Sequence, residues 1–440
     1  MRLDEFLEDF DRDLDAEKRR LAREKSYAIT DHLEDVEARF DRVLSDDTVV
    51  GSTSPEIFVG RTGYPNVSTG VLSPVGDEDS AADYATSGRW YQQGLEVADV
   101  LQRRTGLLNS RSRTSVDSPA RTGAGPSSAR AGGGPRVDDV WDGILGAQRE
   151  VAIADRPVGV EIGLDDRPDI DLTTDDVGPP TGPNASAERV DLTENPYVPR
   201  PVKKTLEDDD WQAQGAMNYL WQRGFDVYDI NTILSAGALG RSDQRRLVPT
   251  RWSITAVDDT VGQFLRGQIQ NAPAVDEVEV WYNEYVGNRY WIVLAPGQWE
   301  FELVEMKGPG SVWNPEASEY FLASASEGYE GRTGYVDETA GAYYASRLGV
   351  LEELTDRGRQ AKAIVLREVT DEYWAPVGVW QVREAVRNAF GDGKMDRPAT
   401  AETFHEAVEG VVTELPVSMQ QLRRKSELVA GIQSQLSAFG

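Results

Sequence analysis

The sequence predicts an α+β protein: a two-domain body with an antiparallel β-meander and packed helices, followed by a flexible C-terminal tail. Three observations point there. At 440 residues the chain exceeds one ordinary hydrophobic core, so two domains are expected. Residues 277–307 alternate apolar and polar side chains through three strand-length runs separated by turns. In many other stretches the apolar residues recur three and four apart, the period of an amphipathic helix.

Residues 1–47 are densely charged. Leu3, Phe6, Leu7, Phe10, Leu14 and Leu21, then Leu33, Val36, Phe40 and Leu44, give the pattern of one or two amphipathic helices. An N-terminal domain is expected over 48–204. It begins with the short strand Ile57-Phe58-Val59, which runs into the turn Gly60-Arg61-Thr62-Gly63-Tyr64-Pro65-Asn66. Glycine lets backbone come close to a ligand, and Arg61, Tyr64 and Asn66 supply groups suited to phosphate or base edges. A tight turn that binds nothing uses the same letters. Residues 102–137 are a basic, flexible insert with seven arginines against one acid. Arg103, Arg104, Arg111 and Arg113 are candidates for phosphate contact, and Ser115 to Pro135 reads as a solvated linker. An acidic, proline-rich stretch from Asp165 to Pro201 lacks periodicity and marks the approach to the domain boundary.

A C-terminal domain is expected over 205–412, opening with helices at Trp211–Arg223 and Val227–Ala238. Trp252–Val257 reads as a strand, with Asp258-Asp259-Thr260 capping the helix after it. Capping is the common role of such acids; the alternative is a metal ligand or a general base. The meander follows, as Val278–Tyr285, Tyr290–Leu294 and Trp299–Glu305. Then Gly331-Arg332-Thr333-Gly334-Tyr335 repeats residues 60–64 letter for letter. Two such loops offer Arg61, Tyr64, Arg332 and Tyr335 to one anionic ligand, or are two glycine-permitted turns with arginines paired to local acids. A helix at Glu338–Arg357, a strand at Ala361–Val369, a helix at Val377–Phe390 and a last helix at Ala401–Val412 complete the domain. Glu384, on the third of these, is a further candidate base.

Residues 413–440 form the expected tail. Its Gln433-x-x-Leu436-x-x-Phe439 is similar to the peptide motif that docks on the DNA sliding clamp (PCNA). Leu436 and Phe439 would enter an apolar pocket from one side of a tight helical turn, with Gln433 bonding at the rim. The alternative is an ordinary frayed helix end.

Composition narrows the chemistry. Acidic residues number 75 against 46 basic ones, for a net charge of −29, and lysine supplies only eight of the basic residues. At molar salt the Debye length falls to about 3 Å and screens such self-repulsion, so the composition predicts a cytoplasmic protein of a salt-loving organism. The absence of cysteine excludes disulfides, thiolate metal sites, a cysteine zinc finger and a nucleophilic Cys. His32 and His405 are too few for a histidine metal centre, so no metal is expected and no cofactor is indicated. No apolar run reaches the length of a membrane span, and the first residues lack the pattern of a signal peptide.

Several stretches are long enough to be specific. Phe58-Val59-Gly60-Arg61-Thr62-Gly63-Tyr64-Pro65-Asn66-Val67 resembles the signature of the archaeal Nre family of DNA-repair proteins, and Trp252–Thr260, Glu330–Arg347 and Pro376–Glu384 resemble its C-terminal region. The likeness covers about residues 50–110 and 205–410. The family carries a clamp-binding motif at its C-terminus, where Gln433, Leu436 and Phe439 stand here. Some members carry an N-terminal cysteine zinc finger, which this chain cannot form. The resemblance implies repair of DNA damage in partnership with the sliding clamp and with DNA. It carries over no catalytic mechanism, so two alternatives stay open. One is an enzyme acting on a nucleotide or damaged DNA between the two Gly-Arg loops, with Asp258, Asp259 or Glu384 as base; the other is a non-catalytic adaptor.

Overall fold

The computed structural model describes residues 38, 47–75, 80–116, 143–166, 168, 182–391, 395 and 397–431. Apart from Ala38 and Asp47, the predicted N-terminal helices lie outside this set. So do most of the linker predicted for 115–135 and all of Gln433, Leu436 and Phe439.

The first sheet is built from β1 (Thr48–Ser52), β2 (Ile57–Val59), β3 (Asn66–Pro74), β4 (Leu107–Ser115), β5 (Gly159–Leu164) and β6 (Asn184–Leu192), ordered β1-β5-β6-β4-β3-β2. Helix α1 (Val97–Thr105) leads into β4, and α2 (Gly143–Ile153) crosses the inner face of the sheet. Period-two alternation sends Val67, Thr69, Val71 and Ser73 of β3 inward. There Thr69 donates its hydroxyl to Gln148 of α2 at 2.6 Å. Of the basic insert predicted over 102–137, residues 102–116 are described, mostly in α1 and β4.

Four helices follow: α3 (Arg200–Glu207), α4 (Ala213–Gln222), α5 (Val227–Ser235) and α6 (Thr250–Ile269). The first runs across the domain boundary expected at 204/205. The last corrects the sequence reading, because the predicted strand at Trp252–Val257 and its Asp258-Asp259-Thr260 cap form one continuous helix. Its buried residues, Ser253, Val257, Asp258, Val261, Gly262, Leu265 and Ile269, recur three and four apart. That periodic burial in tertiary context outweighs the strand preference of β-branched Ile254, Thr255 and Val257.

The second sheet comprises β7 (Val278–Tyr285), β8 (Asn288–Ala295), β9 (Glu300–Lys307), β10 (Phe321–Glu327), β11 (Lys362–Val369) and β12 (Ala399–Ala401). Interleaved with these are α7 (Ala340–Arg357) and α8 (Trp380–Arg387), and then α9 (Phe404–Val412) and α10 (Met419–Lys425) close the chain described. The strand order is β10-β9-β11-β8-β7-β12, so the predicted meander is interrupted. The β7–β8 hairpin forms, but β11 inserts between β8 and β9, antiparallel to the first and parallel to the second. Both faces are covered. Tyr290, Ile292 and Leu294 pack with the α4–α8 layer, while Trp291, Val293 and Ala295 pack with α9 and α10. A strand buried on both faces reads as one apolar run, which is how Ile364, Val365 and Leu366 of β11 stand at the sheet's centre.

The last described turn is anchored on the second sheet. Leu422 and Val429 are fully buried. The Glu302 carboxylate, on β9, accepts from Ser426 Oγ at 2.6 Å and from the backbone N–H of Glu427 and Leu428 at 2.8 and 2.9 Å. A carboxylate at the start of a helical turn satisfies its orphan N–H groups and favours its dipole.

Candidate functional site

The two Gly-Arg-Thr-Gly-Tyr loops share letters but differ in backbone. In the first, between β2 and β3, the positive φ falls on Gly63 at 83°; in the second, between β10 and α7, it falls on Gly331 at 76°. Both loops touch α6. Tyr64 meets Trp252 in its first turn, with ring centroids 5.2 Å apart. Gly331 lies against Arg266 near its end, where a Cβ would stand 1.6 Å from Nη1. Those contacts are about four turns apart, on the order of 21 Å along the axis. Tyr335 leans on Tyr344 of α7, with ring centroids 5.6 Å apart. Arg332 is turned back onto β10, donating to Ser326 O at 2.5 Å. The arginines of the two loops are therefore carried at opposite ends of one helix.

The three candidate bases are each matched by an arginine. Asp258 accepts two hydrogen bonds from Arg383, at 3.1 and 2.5 Å, and both side chains are buried. Burial pushes the Asp258 carboxyl up, and Arg383 pulls it back. Asp259 pairs with Arg347 at 2.6 Å, whose other arm reaches Glu327 at 2.8 Å. Glu384 accepts from Tyr228 Oη at 2.8 Å and from Arg387 at 2.9 Å, and Arg387 also holds Glu352. This is the pattern of charges neutralised inside a helical layer, with their lone pairs occupied. Asp258 is thus not the helix cap of the sequence reading but a residue inside α6.

Arg103 and Arg104 are likewise turned inward. Arg103 donates to Asp83 O and Gln93 Oε1, and Arg104 donates to Thr86 Oγ1 and Val377 O. They tie α1 to its surroundings, whereas Arg113 is exposed on β4 and Arg111 is partly buried beside Phe58.

Among the described residues no group of three or more His, Cys, Asp or Glu side chains is placed to hold a metal ion, and no helix is long and apolar enough to cross a membrane. A cavity of about 410 Å³ between α2 and β6 is bordered by Glu150, Asp191 and Glu194, an acidic lining ill suited to phosphate. It includes none of the candidate residues.

The surface at the start of α6 brings together what sequence reasoning separated. Tyr64 and Trp252 are 49% and 46% exposed. Arg61 lies three residues before Tyr64 and Arg251 precedes Trp252, and both are exposed. Trp252 and Arg251 were missed because the segment was read as a strand. Val257, Val261 and Leu265, four apart after Pro249, carried the helical signal.

Comparison with known proteins agrees with the motifs. A family model described as "Archaeal Nre, N-terminal" matches residues 21–314, and one described as "Archaeal Nre, C-terminal" matches 327–439. The chain is 60% identical over 442 residues to a DNA repair protein NreA of Haloferax volcanii, covering 100% of both chains. It is 34% identical to a DNA repair protein NreA of Archaeoglobus fulgidus over 82% of this chain and 84% of that one. With that organism's DNA repair protein NreB it shares 34% identity over 78% and 80% of the two chains. No solved structure matches. Both halves being matched, the chain belongs to the archaeal Nre family.

Proposed function

We propose that this protein repairs DNA damage and is recruited to the sliding clamp (PCNA) through Gln433, Leu436 and Phe439, acting in the cytoplasm of a salt-loving cell. The observation that carries the repair role is the full-length, 60% identity to a protein named for DNA repair. The motif itself supplies the clamp partner. The anchoring of residues 426–428 on Glu302 supports this reading. Gln433 follows Gly431 by two residues, at most about 7 Å of extended chain. A clamp engaged there stands beside the second sheet, and such tethering raises the effective concentration of the body at its site of work. DNA is the expected ligand of the body. The arginine-matched carboxylates favour a role in binding over one in acid–base chemistry.

The test is survival after DNA damage in a strain lacking this gene. The full chain restores survival, and a chain ending at residue 432 restores less. Equal rescue by both contradicts recruitment through the motif; rescue by neither contradicts the repair role.

A further inference from the structure

One surface of the fold combines exposed aromatic rings with arginines that form no ion pair among the described residues. Tyr64 and Trp252, from a loop and a helix distant in sequence, hold their rings at 55° to each other with nearly half of each side chain in solvent. Large aromatic groups ordinarily gain by burial, so two in contact at the surface mark a place where something else can cover them. The first loop is fixed to the sheet by Gly60 N donating to Ser68 O at 2.7 Å, and the start of α6 by Val59 N donating to Thr250 Oγ1 at 3.0 Å. The platform is therefore built on rigid elements.

Beside it lies the outer face of the first sheet. Register places Phe58, Gly70 and Arg111 in one row and Ser68 with Arg113 in the next. Gly70 carries no side chain, and the Arg111 guanidinium leans over it to within 5.3 Å of the Phe58 ring centre. Arg111 Nε is buried without a hydrogen-bond partner. Arg61, Arg111, Arg113 and Arg251 form no ion pair among the described residues, whereas Arg347, Arg367, Arg383 and Arg387 are all paired inside the fold. In a chain of net charge −29, arginines left unpaired beside exposed rings complement a phosphodiester backbone.

We infer that this surface binds single-stranded nucleic acid, stacking an unpaired base on Tyr64 and Trp252 and holding the flanking phosphates with Arg61, Arg251 and Arg113. The rings favour a single strand because a base inside a duplex has both faces occupied by its neighbours. Stacking also releases no counterions, so it persists in strong salt where phosphate contacts weaken. The second loop takes no part, since Arg332 is held by Ser326. The inference rests on the DNA-repair reading for its setting and not on the clamp motif. Strand binding and clamp binding therefore fail separately.

The experiment is a fluorescence anisotropy titration of the full chain with an oligothymidylate of about 15 nucleotides and with a blunt duplex of equal length, from low to molar potassium chloride. The single strand binds at least about tenfold more tightly than the duplex, and Trp252→Ala weakens it by about tenfold or more. Trp252→Phe retains most of the affinity, and Tyr64→Leu reproduces the loss should Trp252→Ala impair folding. Arg251→Ala lowers the salt slope by about one, while Arg332→Ala binds like the unmodified chain. Equal affinity for duplex, unchanged binding by folded Trp252→Ala and Tyr64→Leu, or no binding even at low salt overturns the inference.

Discussion

Asp258 and Arg383 form a two-point ion pair inside the helical layer, joining the middle of α6 to α8. Their side chains are 1% and 2% exposed, so neither charge has water to fall back on. Removing one partner strands the other, and breaking such a pair typically costs about 3–5 kcal/mol. Asp258→Asn therefore lowers folding stability by about that amount in urea denaturation. Asp259, at 33% exposure, leaves Arg347 still paired with Glu327, so Asp259→Asn costs about 1 kcal/mol or less. Equal stability of the two variants would reopen the case for Asp258 as a chemical group.

Glu302 gives a pH prediction. Burial pushes its carboxyl above the ordinary 4.5, and the bonds from Ser426, Leu428 and Glu427 only partly offset this. The native state then binds more protons than the unfolded state between 4.5 and the raised native value. Stability contributed by this group is therefore lost as pH rises through that window. Glu302→Gln cannot titrate, so the stability advantage of the unmodified chain over this variant shrinks with rising pH across the window. Denaturation midpoints of both proteins on the two sides of the window measure this. Glutamine also presents one acceptor oxygen where the carboxylate presents two, so hydrogen exchange at residues 426–430 speeds up in the variant.

Gly70 sits where β3 meets β4, and a Cβ there would lie 1.8 Å from the backbone oxygen of Ser110. The clash is with backbone, so the strands must part to accept it. Gly70→Ala is expected to lose about 1–3 kcal/mol, the usual range for overpacking, and to lower the melting temperature.

The sequence made local elements legible and long-range ones much less so. The β7–β8 hairpin and α5 were readable because their signals, alternation about a Gly-Asn turn and a three-to-four period, lie within one window. The insertion of β11 was not, because nothing near Ile364 tells it to pair with Val293 and Glu302. At Trp252 local preference and tertiary burial disagreed, and burial prevailed. The candidate site was half visible. Glycines and arginines of the first loop stood out, while the ring that faces Tyr64 comes from a segment whose period was misread. The arginine partners of Asp258 and Asp259 were also hidden, whereas Arg387 stands only three residues from Glu384. The hidden two lie 125 and 88 residues away, beyond any local pattern.

Recruitment to the clamp is most directly measured by binding of the purified clamp to the full chain and to a Leu436→Ala, Phe439→Ala variant, by calorimetry in molar potassium chloride. Val429 is the last buried residue among those described, and the two proteins are expected to melt at the same temperature. Recruitment through the motif predicts saturable binding by the full chain and its loss in the double variant. Undiminished binding by the variant, or none by the full chain, would contradict it.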